Sequence, residues 1–278
     1  MKRRQFIALA AVATLGSPTL PPHALAATQR AHWRPDGAGS GARIGVLTPD
    51  FDPVPESEMW TMTPLGVSIH ASRITWKWND DPKAFAESPQ VDTATEQLAS
   101  LKPQAIVYAF TSSSYALGAE ADGAIRTRLE KRGGGVPVVL TCRAATEALR
   151  VVEARRIALI HPPWFKEEVS AKGRDYFRKQ GLEVLSCARI TPERTFTELP
   201  PAEIYEWVRK NVPRQAEAVF IGGNGLRAIG AIEALEEDLG RPVLTANQVA
   251  FWQALRVVGV ASRVIEYGRV FGKGQPTR

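Results

Sequence analysis

Two short runs carry the groups best suited to grip an anion. Thr111-Ser112-Ser113-Ser114 offers hydroxyls, and Gly222-Gly223-Asn224-Gly225 offers backbone N–H groups that glycine lets a ligand approach closely. Each follows an apolar run, A-I-V-Y-A-F from 105 and A-V-F-I from 218, and the two segments stand 113 residues apart. An apolar run that breaks into small polar residues reads as a buried strand delivering a loop and a helix start. The exposed N–H groups and dipole of such a helix start suit a carboxylate. The same Ser/Thr run would serve as a plain helix cap, and G-G-x-G as an ordinary tight turn. The residues at the matching strand ends are Phe110 and Gly223, and neither side chain can move a proton.

Few side chains elsewhere offer proton transfer. Asp50 and Asp52 lie in the loop after the first strand, where an aspartate can be a general base or a turn former. His161 ends the equivalent strand of the second half and titrates near neutrality if solvated. Cys142 follows a strand and could stand in for a nucleophile, although a buried small hydrophobe is the commoner state of a free cysteine. Cys187 falls inside an expected strand; in an oxidising compartment the two cysteines could pair. Arg227 could help hold an anion. With two cysteines, four histidines and no C-x-x-C, a metal site is not expected, and no G-x-G-x-x-G marks a dinucleotide site. The tryptophans at 60, 76, 78, 164, 207 and 252 read as core or interface residues rather than a ligand box.

The elements that must position these groups repeat. The 113-residue offset also relates Arg43–Pro49 to Arg156–Pro162, and an offset of 105 relates Pro137–Thr141 to Pro242–Thr245. Strands are expected at 43–48, 66–75, 105–110, 137–141, 156–160, 182–189, 217–221 and 242–245. Helices are expected at 91–101, 114–132, 143–152, 166–180, 201–211, 226–239 and 248–258, with a Pro-rich turn through 50–55. Alternation of this kind predicts an α/β fold of two pseudo-symmetric lobes, each a parallel sheet flanked by helices, with a ligand cleft between them at the carboxyl ends of the strands. The first lobe spans 43–152 and the second 153–246, with 247–278 packing back on both.

Residues 1–26 read as an export signal: Lys2-Arg3-Arg4, an apolar stretch from Phe6 to Leu15, and a small-residue end at Ala24-Leu25-Ala26. Arg3-Arg4-Gln5-Phe6-Ile7 is similar to a twin-arginine signal, which predicts passage through the twin-arginine machinery and a periplasmic or secreted product. Residues 27–42 form an expected flexible lead-in. Removing the three basic residues of 1–26 lowers the formal charge from +6 to about +3. With no basic block interleaved with aromatics, nucleic acid is not an expected partner, and no later stretch predicts membrane insertion after signal cleavage.

From Arg43 to Phe271 the chain resembles the aspartate/glutamate racemase superfamily, most closely its arylmalonate decarboxylase and maleate isomerase branch. Ile44–Pro49 with Glu56–Trp60, Tyr108–Gly118, Val219–Arg227, Gly240–Val243 through Phe251-Trp252, and Tyr267–Phe271 carry the resemblance. It implies two lobes around a small-carboxylate site, no cofactor, and cysteine thiols at the two strand ends as acids, bases or nucleophiles. It also implies substrate binding by Pro49, Thr111, Ser112, Ser113, Gly222, Gly223, Asn224 and Gly225. Here the thiol positions hold Phe110 and Gly223, and a tyrosine implied after the fifth strand is replaced within His161-Pro162-Pro163-Trp164. A thiol with a lowered pKa is a competent proton donor and nucleophile, and Phe and Gly are not. The expectation is therefore an exported binding protein for a dicarboxylate or arylmalonate-like acid. The alternative is an active decarboxylase-like or isomerase-like enzyme using Asp52, His161 or Cys142. A third expectation is that Phe110 plugs the cleft.

Overall fold

The computed structural model describes residues 41–77, 80–191, 194, 198–260 and 264–273. The export signal over 1–26 and nearly all of the lead-in lie outside the described residues, and the first strand opens at Ala42. Strands β1 (Ala42–Pro49), β2 (Val67–Ile74), β3 (Ala105–Tyr108) and β4 (Val138–Leu140) form a parallel sheet ordered β2-β1-β3-β4. Strands β5 (Arg156–His161), β6 (Glu183–Arg189), β7 (Ala218–Ile221) and β8 (Val243–Thr245) form a second, ordered β6-β5-β7-β8. The duplication holds in register: Ile44 lies opposite Ala105 and Ile157 opposite Ala218.

The helices are α1 (Val54–Met62), α2 (Pro82–Glu87), α3 (Pro89–Ala99), α4 (Thr111–Leu117), α5 (Ala119–Arg132), α6 (Thr141–Val151), α7 (Glu167–Lys179), α8 (Pro201–Asn211), α9 (Ile232–Leu239) and α10 (Ala246–Val257); α6 links the two sheets, α10 follows the last strand, and the others are crossovers. The repeat offset drops from 113 to 105 because two helices, α4 and α5, join β3 to β4, whereas a 3-10 turn and the short α9 join β7 to β8.

Several expectations change. The Pro-rich turn holds α1, with proline in the first helical turn, where its missing N–H leaves no bond unmade. Proline likewise opens α2 and α3, where the Asp81 and Ser88 side chains accept from the Lys83 and Gln90 N–H groups at 3.0 and 3.2 Å. The single helix expected over 114–132 is two, broken at Gly118, whose φ of +80° and ψ of 168° suit glycine alone. The helix expected from 226 begins at Ile232 instead.

Alternate strand residues face two different cores, as the pleat requires. Ile44, Val46, Val107, Ile157, Leu159 and Phe220 share one apolar cluster with residues of α6, α7 and α10, so the inner faces of both sheets contribute to a common core. Leu47, Ile106 and Tyr108 point to a separate cluster with α2, α3 and α5, and Ala158, Ile160 and Val219 to one with α8 and α9. The pseudo-equivalent helices α6 and α10 pack directly on each other.

Candidate active site

A cleft of about 130 Å³ opens at the carboxyl ends of β1, β3, β5 and β7, where crossover topology leaves loops and helix starts exposed to a ligand. Pro49, Thr111, Ser112, Gly223, Asn224 and Gly225 line it. Phe110 does not fill it. The ring stands 4.3 Å from Phe85 and 5.0 Å from Trp76, centroid to centroid, and so forms a wall. Phe51 extends that wall, 5.9 Å from Trp76, and Trp164 and Phe165 face it from the second lobe, with Lys166 at the rim.

The polar floor divides between groups that are free for a ligand and groups that hold the site together. Thr111 and Asn224, the pseudo-equivalent residues, bond to each other: the Thr111 N–H and hydroxyl donate to Asn224 Oδ1 at 2.8 and 2.6 Å. Thr111 is thereby a structural link between the lobes, and its hydroxyl proton is not offered to the cleft. Ser113 is fully buried, its hydroxyl bonded to the Phe110 carbonyl and the Tyr108 hydroxyl. Ser114 donates to Asp122 at 2.7 Å. Ser112 is the member of the run whose hydroxyl makes no hydrogen bond among the described residues and lines the cleft. Across from it, the N–H groups of Gly223, Asn224 and Gly225 donate to no described residue. These are the donors available to a carboxylate.

Asp52 supplies the protonatable group. It is 6% exposed, lines the cleft, and its Oδ1 accepts from the Val54 N–H at 3.0 Å. Gly225 leaves room for it, since a Cβ at 225 would stand 3.0 Å from Asp52 Oδ2. Burial raises the Asp52 carboxyl to about 6, against the opposing pull of the Val54 N–H and the Arg73 charge. Arg73 fixes this loop by donating to the Asp52 carbonyl at 2.9 Å while pairing with Glu56 at 2.8 Å.

Other expected site residues lie elsewhere. Cys142 is fully buried, its thiol directed at the Thr111 carbonyl 3.7 Å away, and burial pushes its pKa well up, which disfavours the thiolate. Cys142 and Cys187 are both free thiols. His161 is fully buried beside the Tyr115 hydroxyl at 3.3 Å, and burial lowers it to about 3, so the ring is neutral. Gly222 faces these two rings rather than the cleft: a Cβ there would meet Tyr115 Oη at 2.8 Å. Asp50 and Arg227 are exposed and do not line the cleft.

The aromatic lining corrects the reading of the tryptophans. Trp76 and Trp164 line the cleft, Trp252 is core, Trp60 is 45% exposed, and Trp78 lies outside the described residues. A sequence signal for the lining exists. Phe51, Trp76 and Phe110 each stand two residues past the end of β1, β2 and β3, so three neighbouring strands deliver a ring to the same edge.

This architecture and cleft belong to a known class. The arylmalonate decarboxylase family profile matches residues 81–271, and the chain belongs to that family. Among curated relatives, the maleate isomerase of Alcaligenes faecalis is 20% identical over 252 residues, covering 84% of this chain and 98% of its own. The arylmalonate decarboxylase of Bordetella bronchiseptica is 24% identical over 166 residues, covering 58% and 68%. The fold matches a variant of the maleate isomerase Iso of Pseudomonas putida S16 crystallised with maleate, at a TM-score of 0.76 and 17% identity over 83% of this chain and 97% of that one. It also matches a crystal structure of arylmalonate decarboxylase at 0.71 and 20%, over 83% and 99%.

Gly223, where the resemblance implies a second thiol, leaves no room for one. Gly223 has φ of +95°, and a Cβ on it would lie 2.5 Å from Pro162 Cγ. A cysteine there is strained by backbone conformation and by contact.

Proposed function

We propose that this protein is a cofactor-independent enzyme acting on a small, aryl-substituted malonate-like acid, with Asp52 as the proton donor. The named relatives are enzymes, which favours turnover over binding alone. The observation that carries the reading is the Asp52 carboxyl, which burial keeps protonatable near pH 6 and which opens on a cleft with aromatic walls and an amide-rich floor. One carboxylate of the substrate sits against Ser112 and the N–H groups of the Gly223–Gly225 turn, and the aryl group lies along Phe51, Trp76 and Phe110. Loss of CO₂ breaks the C–C bond and leaves its electron pair on the α-carbon as an enediolate, stabilised by the same donors. Protonated Asp52 delivers its proton to that carbon and is reprotonated from water.

The test is incubation of purified protein with phenylmalonate in deuterated water, following CO₂ release and deuterium at the product α-carbon. Asp52→Asn is expected to abolish both. Saturable binding of phenylmalonate without CO₂ release would instead favour the carboxylate-binding reading. Export by residues 1–26 is a separate proposal, supported by the Arg3-Arg4-Gln5-Phe6-Ile7 run. Replacing Arg3 and Arg4 by lysine is expected to stop the protein reaching the periplasm.

A further inference from the structure

A buried chain of amides runs from the first lobe through the second and back to the cleft. Asn224 Oδ1 faces the Thr111 backbone N–H, a donor that cannot reverse, so the Asn224 amide has one permitted orientation. Its Nδ2 group must then point the other way, and it donates to Asn247 Oδ1 at 2.9 Å and to Thr141 Oγ1 at 3.2 Å. That sets Asn247 in turn, whose Nδ2 donates to Glu58 Oε2 at 2.7 Å and to the Asn224 carbonyl at 2.8 Å. Glu58 Oε1 is also occupied, accepting from the Ile229 N–H at 3.1 Å. Thr111, Asn224, Asn247 and Glu58 are each at most 6% exposed, so water cannot replace a lost partner. From Thr111 through Asn224 and Asn247 each residue donates to the next, and the series closes on Glu58, whose two oxygens both accept.

We infer that Glu58, on α1, is a positioning residue: it is the acceptor terminus opposite the Thr111 N–H donor, and the two ends together hold the Asn247 and Asn224 side-chain amides in one orientation at the floor of the cleft. A glutamine would place an NH₂ group against either Asn247 or Ile229, two donors face to face, and the conflict would pass along the series to Thr111. A protonated Glu58 would create the same conflict more weakly. Burial lifts Glu58 to about 7 although the Asn247, Ile229 and Ala228 N–H groups favour its ionised form. Asp52, from the β1–α1 loop, is the ionisable group acting on it; its partners from the second lobe are uncharged. The inference rests on the proposed cleft for its consequence to ligand binding, but its test does not depend on any activity.

The experiment is an amide NMR titration of the full protein carrying Asp52→Asn, which removes the neighbouring titration, with and without Glu58→Gln. The Ile229 N–H reports directly on Glu58, and the Thr111 N–H and the side-chain NH₂ groups of Asn224 and Asn247 report on the series. With Glu58 present, all four are expected to move together with one shared midpoint, raised by burial above the ordinary carboxylate value. With Glu58→Gln, the Thr111 signal is expected to be displaced at every pH and the inflection lost. A Thr111 N–H that stays in place through the titration, or that still titrates in the Glu58→Gln protein, would overturn the inference. Should Glu58→Gln fail to fold, the Asp52→Asn titration decides alone. A protein that proves inert toward phenylmalonate leaves the outcome unaffected, so failure of the functional reading is distinguishable.

Discussion

The proposed chemistry turns on two residues, Asp52 and Gly223. Because burial raises Asp52 above its ordinary value of 3.8 to about 6, the folded state holds a proton that the unfolded chain has lost between those pH values. Stability therefore falls as pH rises through that window, and a proton-donor role loses rate above about pH 6. Asp52→Asn keeps an acceptor for the Val54 N–H and no longer ionises. It is expected to raise the urea midpoint at pH 8 while removing turnover, and a variant less stable than wild type at that pH would count against a desolvated carboxyl. Gly223→Cys is expected not to restore a thiol site but to cost roughly 2–4 kcal/mol, from strained φ and the Pro162 contact. Urea denaturation measures it. Cys142→Ser preserves the donor to the Thr111 carbonyl and is expected to leave phenylmalonate affinity within about twofold, since a shift of that size is only a few tenths of a kcal/mol.

At the level of elements, the strands were legible and the breaks between helices were not. All eight strands fall where the sequence placed them: the central ones are continuously apolar because a parallel strand buried on both faces must be, and the edge strand β2 is marked by alternation instead. Helix α1 was hidden by three prolines at 49, 53 and 55, which mark turns locally but are tolerated at a helix start. The division of α4 from α5 at Gly118 depends on a φ of +80° that a lone glycine in a helical pattern does not announce. No described atom lies within 4 Å of a Cβ built there, so Gly118→Ala isolates the backbone cost. That cost is expected to be roughly 1–3 kcal/mol by thermal or urea denaturation, with ligand affinity unchanged.

On the scale of the whole molecule, the two lobes are one folding unit. Their inner sheet faces share a core, and the Thr111–Asn224–Asn247–Glu58 series crosses between them. A single urea transition, coincident by tryptophan fluorescence and circular dichroism, is expected; two resolved transitions would mean that each lobe is stable alone. The duplication, the parallel sheets and the position of the cleft follow from the sequence by itself, since apolar periodicity and a repeated order of segments dictate which segments pair and at which end their loops gather. Which of those loop residues open on the cleft with a free group was decided only by the tertiary structure. Thr111, Ser113, Cys142 and His161 have the right types in the right places, yet each is turned into the core or spent on a neighbour, while Asp52 and five aromatic rings converge on the open space. The physical reason is that burial and partner geometry, which set both a group's pKa and its freedom to meet a ligand, arise from packing between different elements, as between Thr111 and Asn224 or His161 and Tyr115.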